Sequence, residues 1–145
     1  MGKYLRIGKR AFGNGDGNGP RKQEAIELVD FLTSFKTGTS YQDAWDVNHP
    51  LLTNWRLMAD GSYRGEPYYR RVLERLKESG GNRRKLRSLA IEIMMDALSD
   101  DNTELSRSTI QRYVVQVFGS DLDRLNDMLV DDLIEMAEEH EIKWD

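Results

Sequence analysis

Arg83-Arg84-Lys85-Leu86-Arg87-Ser88-Leu89-Ala90-Ile91-Glu92-Ile93-Met94-Met95-Asp96-Ala97-Leu98 carries the strongest helical pattern in the chain. Leu86, Leu89, Ala90, Ile93, Met94 and Ala97 recur at spacings of three and four, which stacks them on one face of an α-helix. That face is broad, as expected of a helix buried against other helices. Its first turn crowds Arg83, Arg84, Lys85 and Arg87 at the positive end of the helix dipole, an unfavourable placement that points to a further use for these cations.

Upstream, Gly80-Gly81 stops a helix that starts near Glu66-Pro67 and presents Tyr69, Val72, Leu73 and Leu76, so the two segments form a helical hairpin. Downstream, the polar turn Ser99-Asp100-Asp101-Asn102 leads to a segment from Ser106 to Phe118, closed by Gly119. Its Val114, Val115, Val117 and Phe118 suit a strand as well as a helix. Ser120 with Asp123 resembles a capping box opening a last helix, where Leu122, Leu125, Leu129, Leu133 and Met136 form an apolar stripe. Leu122, Leu125, Leu129 and Leu133 are the expected oligomerisation seam.

Toward the N-terminus, Ala25, Leu28, Val29, Leu32 and Phe35 share one helical face, and Gly38 ends that helix. A short element follows over Tyr41 to Val47, Asn48-His49-Pro50 breaks it, and Leu51 to Met58 forms the next helix. Gly13-Asn14-Gly15-Asp16-Gly17-Asn18-Gly19-Pro20 reads as a flexible loop behind a basic, aromatic-bearing arm with Arg6, Lys9 and Arg10. The pattern predicts an all-α, multi-helical protein. Residues 1–22 form a flexible basic, Gly-rich arm, 23–62 a helix-turn-helix-like module, and 63–145 a helical oligomerisation or interaction region.

At 145 residues the chain has about the size of one domain. It holds no cysteine, so disulfide and thiolate-metal chemistry are excluded and a cytoplasmic location is expected. No apolar run reaches the ~20 residues of a membrane span. Residues 1–98 carry 17 Lys and Arg against 12 Asp and Glu, and residues 99–145 carry 4 against 13, or +5 and −9. A polyanion would therefore meet the first two-thirds of the chain, leaving the acidic end for solvent or a basic protein surface.

Catalytic signatures are absent. His49 and His140 are far apart in sequence and match no metal or triad pattern, so no catalytic residue, metal or cofactor is expected. A calcium loop beginning at Asn14 places Ala25 where a bidentate Glu is needed. A phosphate loop at Gly19-Pro20-Arg21-Lys22 lacks both spacing and hydroxyl.

The segment Ser40 to Arg56 has the look of a helix-turn-helix: Ala44 where two helices cross, Val47 closing the turn and Trp55 as the buried anchor. Asn48, His49, Thr53, Asn54 and Arg56 are the predicted groove-facing residues, with Lys9 and Arg10 of the arm on phosphates. Leu105 to Val114 is a second candidate, anchored by Ile110 and Val114 and capped by its Ser and Thr. Its acidic neighbourhood favours a core helix with two surface arginines.

On Ala44, Val47, Trp55 and the hairpin over 66–98, the chain resembles phage terminase small subunits by order of elements across residues 24–140. That resemblance implies ring oligomers that recognise viral duplex DNA for packaging in the host cytoplasm. The alternative is a non-enzymatic structural or adaptor protein, such as a virion connector component or an inhibitor that engages a protein partner through the acidic C-terminal helix.

Overall fold

The computed structural model describes residues 19–37 and 48–144. Among them the chain forms α1 (Gly19–Thr37), α2 (Pro50–Ala59), α3 (Glu66–Ser79), α4 (Arg83–Asp101), α5 (Arg107–Phe118) and α6 (Leu122–Glu139). A 3-10 turn at Gly119–Asp121 leads into α6, and the described residues contain no strand. The fold is all-α. Lys9 and Arg10, and the expected Tyr41–Val47 element with Ala44 and Val47, lie outside the described residues. Helix α1 begins at Gly19, inside the stretch expected to be arm.

These helices divide between two compact units. The chain changes unit inside α2 between Asn54 and Trp55, inside α4 between Met94 and Met95, and after Gly119. The expected boundary at 62/63 is not where this division falls. Leu51 and Leu52 of α2 and Met95, Ala97 and Leu98 of α4 are buried in the first unit, and Trp55, Met58 and Ala59 of α2 in the second.

In the first unit α1 and α5 pack together, burying Leu28, Leu32 and Phe35 on one and Ile110, Val114 and Phe118 on the other. Phe35 and Phe118 meet with ring centroids 6.1 Å apart, and Lys36 Nζ donates to the Val117 carbonyl at 2.8 Å. Helix prevails over strand in α5 because Ile110, Val114 and Phe118, four apart, are buried while Val115 is half exposed. A strand alternation puts Gln116 on the face of Val114 and Phe118. Ser106 caps the helix by accepting the Thr109 N–H at 3.2 Å.

Glu24 shares the inward face of α1, at 1% exposure. Its Oε1 accepts the Glu104 backbone N–H at 2.9 Å, which gives a buried carboxylate a donor and ties α1 to the turn ahead of α5.

The second unit is built around Trp55, 1% exposed, whose indole N–H donates to the Ala90 carbonyl of α4 at 2.9 Å. Every residue of the quoted apolar face of α4 within this unit, Leu86, Leu89, Ala90, Ile93 and Met94, is buried. So are Val72 and Leu76 of α3, together with Tyr68 where Tyr69 was expected; Tyr69 is half-buried.

The leucine stripe of α6 lies in this same core. Leu125, Leu129 and Leu133 are at most 1% exposed and Leu122 is half-buried. Their own chain covers them, so the stripe does not offer the open seam between copies that was expected. The expected capping box is also absent: Ser120 belongs to the 3-10 turn, and Asp121 at the start of α6 makes no side-chain cap bond. At the other end, Ile142 N–H reaches the Ala137 carbonyl (2.9 Å) and Glu141 N–H the Glu138 carbonyl (3.0 Å), closing α6 with a Schellman motif.

Candidate nucleic-acid interface

Pro50, tolerated in the first turn of a helix, opens α2, and His49 before it acts as the cap. His49 Nδ1 accepts the Leu51 N–H at 3.0 Å. The ring proton therefore lies on Nε2, which is 2.9 Å from Ser34 Oγ. Phe31 and Phe35 flank the ring, each with its centroid 5.2 Å away. His49 is thus a docking and capping residue, half-buried and not presented to a groove.

Asn54 also departs from expectation. It is 7% exposed, and its Nδ2 points to Asp101 Oδ2 at 3.4 Å. The reason is helical phase: Asn54 follows Leu51 by three and precedes Met58 by four, which puts it on the buried face. Arg56 is outward but committed, its Nε 3.0 Å from Asp132 Oδ2 of α6. Of the predicted groove-facing set, Asn48 and Thr53 are exposed. The structure therefore does not gather these side chains into one reading surface.

The second predicted segment is anchored as expected, with Ile110 and Val114 buried. Arg107 pairs with Asp96 at 2.9 Å, and Arg112 stacks over its neighbour Tyr113 at 5.4 Å. This matches a core helix whose arginines are held locally.

Helix α4 opens with four cations in five residues, and they divide by helical phase. Arg83 and Arg87, one turn apart, face α6: Arg87 Nη2 lies 3.1 Å from Asp127 Oδ1, and Arg83 Nη2 lies 3.5 Å from Asp127 and 3.8 Å from Asp131. The Arg87 hydrogen bond holds the Asp127 carboxyl below the usual carboxylate range, against the opposing effect of its desolvation and helped by the charges of Arg87 and Arg83. Arg84 and Lys85 are exposed and have no acidic partner among the described residues. The acidic helix thus neutralises half of the cluster and leaves the other half unmatched.

Beside the unmatched half runs a second set of cations. Tyr68, Arg71 and Arg75 follow at spacings of three and four along α3, and Arg64 stands in the turn just ahead of the helix. Arg64 and Arg71 lie over the Tyr68 ring at 5.5 and 5.4 Å. Arg75 Nη1 bridges to Glu92 Oε1 at 2.6 Å, joining α3 to α4. Between these helices lies a groove of about 390 Å³ lined by Arg75, Glu78, Ser79, Arg84, Lys85 and Ser88. Arg70 points elsewhere, paired with Glu66 in its own helix at 2.7 Å.

The turn that presents this groove is built tightly. Gly80 adopts a left-handed conformation and its N–H bonds the Lys77 carbonyl, while Asn82 Oδ1 caps α4 at the Lys85 N–H, 3.1 Å away. Gly81 has φ +82 and a Trp144 ring against it, so close that an added Cβ meets that ring at 3.2 Å. Trp144 donates its indole N–H to the Leu76 carbonyl at 3.1 Å, which the Ser79 hydroxyl also reaches at 2.7 Å. Behind it, Tyr69 bonds His140, and Tyr69 has its phenol pKa raised by burial first and by Asp60 and Glu139 second.

Among the described residues no group of three or more His, Asp or Glu side chains is placed to hold a metal ion. No helix of the described residues is long and apolar enough to cross a membrane. The grouping of Arg71 and Arg75 with Tyr68 escaped the sequence reading, which set Tyr69 and not Tyr68 on the inward face of this helix. No family model, no curated protein and no solved structure matches the chain.

Proposed function

We propose that this chain is a non-enzymatic DNA-binding protein that holds duplex DNA by its phosphate backbone through the hairpin of α3 and α4. The observation that carries this reading is the outward cationic surface formed by Arg64, Arg71, Arg84 and Lys85, in which Arg84 and Lys85 lack acidic partners among the described residues. Cations clustered along one helical face are the footprint of polyanion binding. The helix Pro50–Ala59 plays the scaffold in this account, because its anchor Trp55 and its Asn54 both face inward.

Backbone contacts carry affinity without base preference, and each neutralised phosphate contributes about −0.9 to the slope of log K against log salt. A single copy with this few cations binds weakly, so function calls for several copies acting together. The buried leucines of α6 are not available for that, whereas among the described residues Ile26 on α1 and Val115 on α5 are large apolar side chains left about half exposed, at 48% and 50%. The resemblance to terminase small subunits gives such binding a context, recognition of viral DNA for packaging. The test is fluorescence anisotropy of a labelled duplex at low salt, with light scattering on the same samples. Binding that weakens steeply with salt is the expected result; absence of binding at low salt overturns the reading.

A further inference from the structure

Deepening the proposed DNA reading, we infer that the groove between α3 and α4 is a discrete seat for one phosphate group of the nucleic-acid backbone. Arg84 and Lys85 supply the charge, Ser88 a hydroxyl donor, and Arg75 the wall that Glu92 holds in place.

Three features of the groove carry the inference. Its cations come from both helices and meet across about 390 Å³, room for a phosphate group and the atoms on either side of it. Within one turn of α4, Arg83 and Arg87 are matched by Asp127 while Arg84 and Lys85 face the groove unmatched, so the charge there is not an accident of a basic helix start. The turn beside the groove is also fixed: buried Ser79, which lines the groove, accepts the Gly81 N–H at 3.2 Å, and the Trp144 ring packs against Gly81. A backbone already fixed need not be ordered when an anion arrives.

Charge bookkeeping limits the affinity. Arg75 is set against Glu92, and Glu78 is the one acid in the lining, so the surplus facing an anion is small. The groove therefore holds an isolated phosphate only weakly, in the millimolar range that corresponds to about 4 kcal/mol. Its contribution appears when Arg64 and Arg71, outside the groove, engage neighbouring phosphates of the same backbone.

The experiment titrates the full chain with inorganic phosphate, against sodium chloride at matched ionic strength, following backbone amides by NMR. Saturable shifts confined to residues 79–88 are expected, abolished in the Arg84→Ala/Lys85→Ala double variant and displaced by a short duplex. The double variant is also expected to lose about 10-fold in duplex affinity at moderate salt. Phosphate shifts that do not saturate, or that persist in the double variant, overturn the seat even if duplex binding stands. Saturable phosphate binding with no displacement by duplex overturns the assignment to nucleic acid and leaves a free-phosphate site. Arg71→Ala, outside the groove, separates the two readings: it weakens duplex binding and leaves the phosphate shifts unchanged.

Discussion

Helix α2 carries one arginine and the α3–α4 hairpin several cations, and their charges meet different environments. In α2, Arg56 leaves the surface of the helix and meets Asp132 of α6 at 3.0 Å. In the hairpin, Arg84 and Lys85 line the groove between α3 and α4, while acids of α6 bind Arg83 and Arg87. The acidic terminal helix thus acts as an internal counter-surface, and what it fails to cover marks the basic face. Net charge along the chain cannot distinguish these cases; helical phase relative to α6 does.

The comparison breaks first at Trp55. If α2 is scaffold, Trp55→Ala leaves a cavity in the second unit and an unpaired Ala90 carbonyl environment, at a cost of about 3–5 kcal/mol. Thermal or urea unfolding should show that loss in full, with DNA binding failing only as the fold fails. A variant that melts like the parent removes α2 from the core.

Helical existence and phase were legible from the residues themselves. Leu86, Leu89, Ala90, Ile93 and Met94 are buried as their spacing required, and Gly80-Gly81, Gly119 and Ser106 end or cap helices where their chemistry suggested. Asn54 was legible too, since a polar residue three after Leu51 and four before Met58 shares their face. Other features depend on partners remote in sequence. Glu24 is buried because the Glu104 N–H lies 80 residues on, and the leucines of α6 announce a buried stripe without saying whether chain or copy covers it. The unmatched cations of the groove were hidden for the same reason: only the position of Asp127 separates Arg83 and Arg87 from Arg84 and Lys85.

A smaller effect sharpens the contrast at Asp127. Its carboxyl is held below the ordinary value of about 3.9, so its ionised form stabilises the fold at pH above that value, and the contribution is lost as pH falls through the depressed folded value. Asp127→Asn should therefore melt slightly below the parent at neutral pH, with the gap closing under acid conditions. Because Asp127 is about half exposed, the gap is small and shrinks with added salt. The same variant releases Arg83 and Arg87 and is expected to bind duplex DNA more tightly. A gap that widens in acid, or unchanged DNA affinity, contradicts the role given to the acidic helix as counter-surface.

If phosphate contacts lie on the hairpin and not on α2, the salt dependence of duplex binding separates the two sites. Anisotropy titrations over a salt series are compared for the parent, Arg56→Ala, Arg71→Ala and Arg84→Ala. Each hairpin variant is expected to reduce the slope of log K against log salt by about 1, the mark of one lost phosphate contact. Arg56→Ala is expected to keep the parent slope. A flattened slope for Arg56→Ala, with parent slopes for Arg71→Ala and Arg84→Ala, places the contact on α2 and contradicts the account.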